Sequence, residues 1–311
     1  MGRALGLSLV VAAILAGLPI TGSAQQTVFF TENFENANFA SRGWYDIVGG
    51  GGTIDSNNHI TGSAASWNSH WTLGGTSASA GRPGRHKFTA SATVYVSFWM
   101  KLGSASVPWQ GSGKPYHPHM IYLLTDADGD YVAPAWCFLE FLIEPTLFTP
   151  RLAASDGKRI NIGQLGANLL GTATPHAIAG GNGSQNATSG YYGSGSIYSN
   201  GTFWDSVSAS FVNNTWHHVE VYVAMNSISG GIPQADGIIK FWVDGALVVD
   251  QSNVYLRTAQ YAAQKFNQLL LSPYIGDGSP IAQDLWIDNI IVADQPPASQ
   301  TVPAPKNLRV N

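Results

Sequence analysis

The sequence has one cysteine and few charged residues. Cys137 stands alone among 311 residues, so no disulfide can form within the chain. Charged residues make up 11% of the chain and the formal net charge is -4. A nucleic-acid-binding protein would carry clustered Lys and Arg, so this composition excludes that class of partner. The 10 Trp and 12 Tyr suit a glycan, because sugar rings present apolar C–H faces that stack on aromatic side chains.

Long apolar runs are absent after the N-terminus. The first residues combine the positive Arg3, an apolar stretch over Leu5–Ile20 and a small-residue cleavage site that ends at Ala24. We therefore expect residues 1–24 to be a signal peptide, cleaved near Ala24, and the mature chain to be secreted to the periplasm or the medium. The apolar stretch is short for a permanent anchor, and no later segment could span a bilayer.

Helical patterns are scarce, and only Ala259–Gln268 has a helix-like composition. Short segments with period-two alternation, separated by Gly, Asn and Ser, predict strands elsewhere. The predicted strands lie near 28–34, 93–102, 119–125, 136–144, 149–154, 217–225, 237–243, 246–250, 268–275 and 285–293. This pattern predicts an all-β fold over residues 25–294, built as a two-sheet antiparallel sandwich, and we expect a monomer.

The region from Trp216 to Asp294 gives the clearest pattern. Asp244-Gly245 separates two alternating runs, and this dipeptide is a strong signal for a β-hairpin with a type I′ turn. The runs W-H-H-V-E-V, F-W-V-D-G and L-W-I-D-N-I-I-V resemble the last strands of the concanavalin A-like lectin/glucanase superfamily. The resemblance implies a jelly roll, a fold shared by lectins, laminin-G-like modules, laminarinase-type glycosidases and several polysaccharide lyases.

Two segments depart from the strand pattern. Residues 166–210 form an insertion rich in Gly, Ser and Asn that carries Tyr191 and Tyr192. A long loop of this kind is typical of either a binding loop or a flexible surface insertion, and the sequence leaves both open. Residues 295–311 form a Pro-rich C-terminal tail.

The strand over 136–144 is the predicted glycan-binding element. Alternation places Cys137, Leu139, Phe141 and Ile143 toward the core. The opposite face then carries aromatic side chains beside carboxylates, as a sugar-binding cleft would. Those predicted binding residues are Trp136, Phe138, Glu140 and Glu144, with Tyr191 and Tyr192 added from the insertion. The alternative is that neighbouring segments cover this face.

Glu140 and Glu144 also raise the question of glycoside hydrolysis. Laminarinase-type enzymes of the superfamily carry a Glu-x-Asp-x-Glu pattern, whereas the central position here is Leu142. Residues four apart on a strand are about 13 Å apart. A retaining pair of carboxyl groups needs a separation of about 5–5.5 Å. If the protein is an enzyme, these facts favour a polysaccharide lyase over a glycoside hydrolase.

A lyase of this fold would need a base to take the C5 proton of a uronate and a cation to neutralise its carboxylate. The segment from Lys114 to Tyr122 is dense in such groups, and a second basic patch lies near Arg85. The predicted lyase residues are His119 or Tyr122 as the base, with Lys114 and Arg85 as cations. The competing interpretation is a proline-constrained loop with surface histidines.

The resemblance also implies a metal site. Many members of the superfamily hold a structural calcium between the N-terminal segment and the Asp of the last strand. In this sequence those residues are Glu35 and Asp288, and carboxylate oxygens suit calcium. Alternatively, both are solvated or bonded to the backbone. The acidic run Asp126–Asp130 lacks the Glu that a calcium loop needs at its twelfth position, where Cys137 stands.

Together these patterns favour a secreted protein that binds a polysaccharide in a groove of the jelly roll. A polysaccharide lyase and a structural surface or matrix protein remain as alternatives.

Overall fold

The structure is a computed structural model, and it describes residues 25–110, 118–126, 137–144, 149–161, 197–205, 211–254, 256–257, 262–275 and 278–298. The predicted signal peptide, most of the tail and most of the insertion lie outside these ranges. Within them, the secondary structure consists of strands and two short 3-10 helices, Phe39–Arg42 and Gly49–Gly51. No helix in the described ranges is long and apolar enough to cross a bilayer.

The strands are β1 (Val28–Glu32), β2 (Trp44–Tyr45), β3 (Thr53–Asp55), β4 (Ser66–Trp71), β5 (Gly84–Ser91), β6 (Thr93–Leu102), β7 (Pro118–Thr125), β8 (Cys137–Glu144), β9 (Thr149–Asn161), β10 (Ile197–Asp205), β11 (Trp216–Ala224), β12 (Ile228–Ser229), β13 (Ile232–Pro233), β14 (Gly237–Val243), β15 (Ala246–Val254), β16 (Phe266–Ile275) and β17 (Gln283–Ala293).

Two antiparallel sheets make up the sandwich. The first sheet has the order β15-β14-β11-β6-β17-β4-β3, and β1 pairs with the second half of β17, beyond the residues that pair with β4. The second sheet has the order β10-β9-β8-β7-β16-β5-β2. A small ribbon of β12 and β13 lies apart. The predicted two-sheet antiparallel architecture is confirmed.

Apolar side chains at alternate positions of each strand fill the space between the two sheets. Val94, Val96 and Phe98 of β6 are fully buried in the apolar core. On the facing sheet, Leu269 and Leu271 of β16 belong to the same core. Their neighbours in sequence point to the outer faces, because successive side chains of a strand alternate. Each sheet therefore presents an outer face on which functional groups can stand.

The hairpin at Asp244-Gly245 is confirmed. Asp244 has φ 51° and Gly245 has φ 78°, as the two central positions of a type I′ turn require. The Asp244 carboxylate fixes the turn to β11: it accepts the backbone N–H of His218 at 2.9 Å and contacts Nδ1 of His217 at 2.8 Å. His217 thus has a structural role.

Some local expectations were wrong. The helix-like composition of Ala259–Gln268 runs into β16, which begins at Phe266. The insertion expected as a loop contains β10, which pairs with β9 along 197–205. The tertiary pairing of these segments overrides their weak local preference.

Candidate functional site

The outer face of the second sheet contains a cleft of about 400 Å³ at the β2–β5–β16 side. We call it the arginine cleft, and it is lined by Asp46, Ile47, Val48, Arg82, Arg85, Leu270 and Ser272. Arg85 lies on β5 and Leu270 opposite it on β16, so regular cross-strand pairing builds the floor. The segment after β2 supplies the wall.

Arg85 is buried and fully engaged in this cleft. Only 2% of the residue is exposed. Its Nε lies 3.2 Å from the Asp46 carboxylate, and its Nη1 donates to the amide oxygen of Gln268 at 2.9 Å. The hydroxyl of Tyr45 donates to the same oxygen at 3.0 Å. These bonds fix the guanidinium and neutralise its charge.

The guanidinium charge of Arg82, unlike that of Arg85, is not neutralised by an ion pair among the described residues. Arg82 is half-buried at the edge of the cleft, and no carboxylate of the described residues forms an ion pair with it. Its backbone N–H donates to Val48 O at 2.9 Å and its carbonyl accepts from Val48 N at 3.1 Å, which joins the two walls. The cleft therefore combines one neutralised cation with one whose charge can meet an anion.

Close backbone packing at Gly84 holds the cleft together. Gly84 has φ +86°, and a Cβ there would lie 2.4 Å from Tyr45 O and 2.5 Å from Asp46 O. Only glycine permits β2 and β5 to approach this closely. The position of Asp46 relative to Arg85 thus depends on the absence of one methyl group.

Replacing Gly84 with alanine is expected to lower the free energy of unfolding by about 1–3 kcal/mol or more, because the new residue combines a left-handed φ with a backbone clash. Urea denaturation measures the change. Gly50→Ala is the matched control, since Gly50 has φ +74° but a Cβ added there would meet no atom within 4 Å. Equal losses in the two variants would show that backbone strain alone, and not the clash with β2, sets the cost.

The cross-strand register aligns two predicted lyase residues, Arg85 and Tyr122, with the predicted glycan-binding residue Glu140. Tyr122 of β7 pairs with Leu270 on one side and with Glu140 on the other. Leu270 pairs in turn with Arg85. Adjacent strands are about 4.8 Å apart, so the backbones of Arg85 and Tyr122 are about 10 Å apart. These residues form one row across the second sheet.

His119 takes a position beside this row. A register shift between His119 and Tyr122 places His119 opposite Leu142 of β8 and Tyr274 of β16. It stands two positions along the sheet from the Tyr122–Glu140 pair. The bulge brings the backbones of both proposed bases to the same part of the sheet.

The outer face near this row is well covered. Tyr122 is 9% exposed, while Leu124 and Gln268 are almost completely buried. The arginine cleft, at one side of the covered Tyr122, is an accessible part of this face.

The remaining predicted site residues fall on β8 or outside the described ranges. Phe138, Glu140 and Glu144 lie on β8, which pairs with β9 without a register shift. Glu140 and Glu144 are thus four residues apart on a regular strand, at a separation of about 13 Å. Outside the described residues lie Lys114, Trp136, Tyr191 and Tyr192.

A second polar centre lies on the first sheet, where Glu35 and Asp288 converge on Ser63. The hydroxyl oxygen of Ser63 is 3.2 Å from Glu35 Oε1 and 3.2 Å from Asp288 Oδ1. It is also 2.8 Å from the carbonyl oxygen of Ala65. A hydroxyl has one hydrogen to donate, so Ser63 can satisfy only one of these three acceptors at a time, while Glu35 Oε1 also accepts the Ala64 N–H at 3.0 Å.

Electrostatics at this centre favours a cation. Asp288 is fully buried. Burial raises the pKa of its carboxyl, and the nearby negative charge of Glu35 raises the pKa further. The other Asp288 oxygen accepts the Ile60 N–H at 3.1 Å, so the side chain is held in place. The oxygen donor set fits a hard cation such as Ca²⁺.

Comparison with known proteins identifies the fold. No family model matches the chain, and no curated protein matches it. Among solved structures, the chain is similar to an endo-beta-1,4-glucuronan lyase from the fungus Trichoderma reesei (TM-score 0.51, 15% identity, 86% of this chain and 96% of that one). It is also similar to alginate lyases from Aplysia kurodai (TM-score 0.53, 10% identity, 86% and 100%) and from a Chlorella virus (TM-score 0.54, 11% identity, 86% and 100%). The predicted resemblance is confirmed at the level of the fold: this chain has the concanavalin A-like jelly-roll fold.

Proposed function

We propose that this protein is a secreted carbohydrate-binding protein that takes a uronate-containing polysaccharide on the outer face of its second sheet. The observation that carries the proposal is Arg82, a cation without a carboxylate partner among the described residues, at the edge of the arginine cleft. A guanidinium matches the geometry of a carboxylate and can bind it with two parallel hydrogen bonds.

The remaining lining of the cleft suits a sugar ring. Leu270 and Ile47 provide apolar surface, and Ser272 adds a hydroxyl. Binding sites for small ligands combine such apolar walls with a few polar groups that fix orientation. The similar solved structures are named as enzymes acting on glucuronan or alginate, which supports a glycan as the ligand.

The test of binding is affinity electrophoresis through gels that contain polyglucuronate, alginate or a neutral glucan. We expect retardation in the uronate gels only. Arg82→Gln should weaken binding about tenfold or more, because a hydrogen bond to a charged group contributes about 1.5–3 kcal/mol. Lys240→Gln is the matched control: it removes the same charge on the first sheet, where Lys240 pairs with Asp250 at 3.3 Å.

Equal retardation of the Arg82 and Lys240 variants would contradict the proposed site. Absence of retardation in every gel would favour the structural surface or matrix protein.

A lyase is the second candidate: Tyr122 is the cross-strand neighbour of Leu270 in the arginine cleft, where Arg82, and not the neutralised Arg85, can meet a carboxylate. In β-elimination a base takes the C5 proton and the glycosidic oxygen leaves, which creates a C4=C5 double bond. Tyr122 and His119 are the candidate bases, and a cation must neutralise the carboxylate to acidify that proton.

Ultraviolet absorbance of the new double bond distinguishes a lyase from a binder. If the protein is a lyase, absorbance rises when it is incubated with the uronate polymer that it retains. Tyr122→Phe should then lower kcat by about 10²–10⁴-fold with retardation unchanged. Retardation with no rise in absorbance would leave the protein a binder.

We further propose that Glu35 and Asp288 hold a structural calcium. The ligands would be their carboxylates, with Ser63 Oγ and the Ala65 carbonyl nearby. When bound, the ion would neutralise the two like charges and tie the segment after β1 to β17.

A further inference from the structure

The outer face of the first sheet carries a chain of hydrogen-bonding groups that the glycan proposal does not use. Ser97 lies on β6, and His218 and Glu220 lie on the neighbouring β11. Ser97 pairs directly with Glu220. All three stand on the outer face, since Val96, Phe98 and Val219 between them belong to the core. The antiparallel register thus gathers a hydroxyl, an imidazole and a carboxylate.

The distances have the order of a catalytic triad. Ser97 Oγ lies 2.8 Å from His218 Nε2. His218 Nδ1 lies 3.4 Å from Glu220 Oε2. The second contact is longer than a hydrogen bond between a ring nitrogen and a carboxylate. Contacts of this kind in ligand-free sites commonly shorten when substrate binds.

The position of Glu220 favours one tautomer of the His218 imidazole, with the proton on Nδ1. Glu220 is fully buried, and its other oxygen, Oε1, accepts the hydroxyl of Tyr95. Burial and this hydrogen bond raise the pKa of Tyr95, so the phenol stays protonated and remains a donor. A carboxylate can only accept, which favours a proton on Nδ1 of His218. Nε2 of the neutral ring is then an acceptor, and Ser97 must donate to it.

Packing fixes the ring as well. The imidazole of His218 stacks on the indole of Trp99, with centroids 4.9 Å apart and planes 25° apart. Trp99 is the cross-strand partner of His218. The ring therefore cannot turn freely away from Ser97.

We propose that Ser97, His218 and Glu220 form a nucleophilic serine site that reacts with esters of small acyl groups. Serine, histidine and an acidic residue recur in this arrangement on unrelated folds, and geometry identifies them better than sequence order. Ser97 is only 4% exposed, which excludes a bulky acyl group and restricts the proposed substrates to compact ones. This activity does not depend on the arginine cleft, which lies on the other sheet.

The reaction balances without any further reagent. Ser97 Oγ bonds to the acyl carbon while its proton passes to Nε2 of His218. The alcohol leaves with that proton as the carbonyl re-forms. Water then attacks the acyl carbon, gives a proton to the same nitrogen, and Ser97 regains its proton as the carboxylic acid departs.

Turnover should be slow. β6 is paired on both sides at Ser97, with Glu220 of β11 and Ile291 of β17. Backbone N–H groups engaged in a sheet are not free to bind a developing oxyanion, and loss of one oxyanion donor costs about 10²–10³ in kcat. Covalent labelling of the serine is therefore a better measurement than hydrolysis.

The test is labelling of the full chain with methanesulfonyl fluoride, a reagent small enough for the restricted access at Ser97, followed by mass spectrometry of the peptide that contains Ser97. We expect Ser97 to be labelled about 100-fold faster than the surface serines, as general-base activation predicts. His218→Asn should reduce the rate to that of the surface serines, with circular dichroism to confirm folding.

His70 provides a matched control. Its Nδ1 lies 2.9 Å from Asp284 on the same sheet, so it also pairs with a carboxylate but does not contact Ser97. His70→Asn should leave the labelling rate unchanged. Failure of the unmodified protein to label Ser97 would overturn the proposal and reduce the three residues to a hydrogen-bonded surface row. An equal loss of the Ser97 labelling rate in His218→Asn and His70→Asn would also overturn the proposal.

Discussion

Calcium is expected to raise the melting temperature of the purified protein at pH 7. A ligand that binds only the folded state stabilises it by about 4 kcal/mol at a free concentration 1,000 times its Kd. The reason is that Glu35 and Asp288 both direct a carboxylate oxygen at the Ser63 hydroxyl, which brings two like charges close together. Differential scanning calorimetry with calcium and with a chelator measures the shift.

The calcium-induced rise in melting temperature should depend on pH, because Asp288 must be ionised to bind the metal. The pKa of Asp288 is raised above the ordinary value of 3.8 by burial, which outweighs the hydrogen bonds from Ile60 and Ser63 that lower it, and the charge of Glu35 adds the smallest contribution. The metal-free folded state therefore keeps this proton to a higher pH than the unfolded chain does. Its stability falls as pH rises from that ordinary value through the raised pKa. Calcium needs the ionised form, so the calcium-induced gain should shrink as pH is lowered through the same window.

Asp288→Asn tests the assignment. The variant removes the repulsion with Glu35, so its metal-free stability should be unchanged or higher, while the calcium shift should disappear. Asp284→Asn is the matched control, because Asp284 lies on the same strand but bonds Asn68 and His70. The assignment is wrong if the calcium-induced rise in melting temperature survives in the Asp288 variant. It is also wrong if the unmodified protein shows no such rise.

Glu32→Ala is expected to lower the free energy of unfolding by about 3–5 kcal/mol, since truncating one member of a buried ion pair leaves its partners uncompensated. The Glu32 side chain is fully buried. It accepts from Phe34 N at 2.7 Å, Arg42 Nε at 2.8 Å and Trp44 Nε1 at 2.7 Å. One carboxylate thus joins β1, the first 3-10 helix and β2.

Urea denaturation measures this loss. Asp250→Ala is the control, since its ion pair with Lys240 is largely exposed and should contribute less than about 1 kcal/mol. Glu32→Ala could lower the free energy of unfolding no more than Asp250→Ala does. That result would mean that water or a rearranged segment accepts the hydrogen bonds of Trp44 and Arg42.

Much of the fold followed from local patterns, and the exceptions have physical causes. β17 was predicted from its alternation, and the hairpin from Asp244-Gly245. β4 was missed because the polar Asn68 and Ser69 are buried beside Trp67, so its sequence lacks a regular alternation of apolar and polar residues. β5 was missed because Arg85 and Lys87 alternate with His86 and Phe88, of which only Phe88 is clearly apolar.

The candidate sites were harder to predict from the sequence than the fold was. Arg85 was identified by its chemistry, and Glu35 with Asp288 by the resemblance. Tyr45 and Gln268 were missed because they are 223 residues apart and meet only through the pairing of β2, β5 and β16. The proximity of Ser97 to His218 likewise depends on register, which no local pattern contains.

The place of β17 has a consequence for biogenesis. This strand lies inside the first sheet, between β6 on one side and β4 and β1 on the other, and it joins residue 28 to residue 293. During synthesis the sheet therefore stays divided until nearly the whole domain has left the ribosome. Pairing across such sequence distances is slow. A nascent chain of this design therefore lacks its complete first sheet until its last strand has been made.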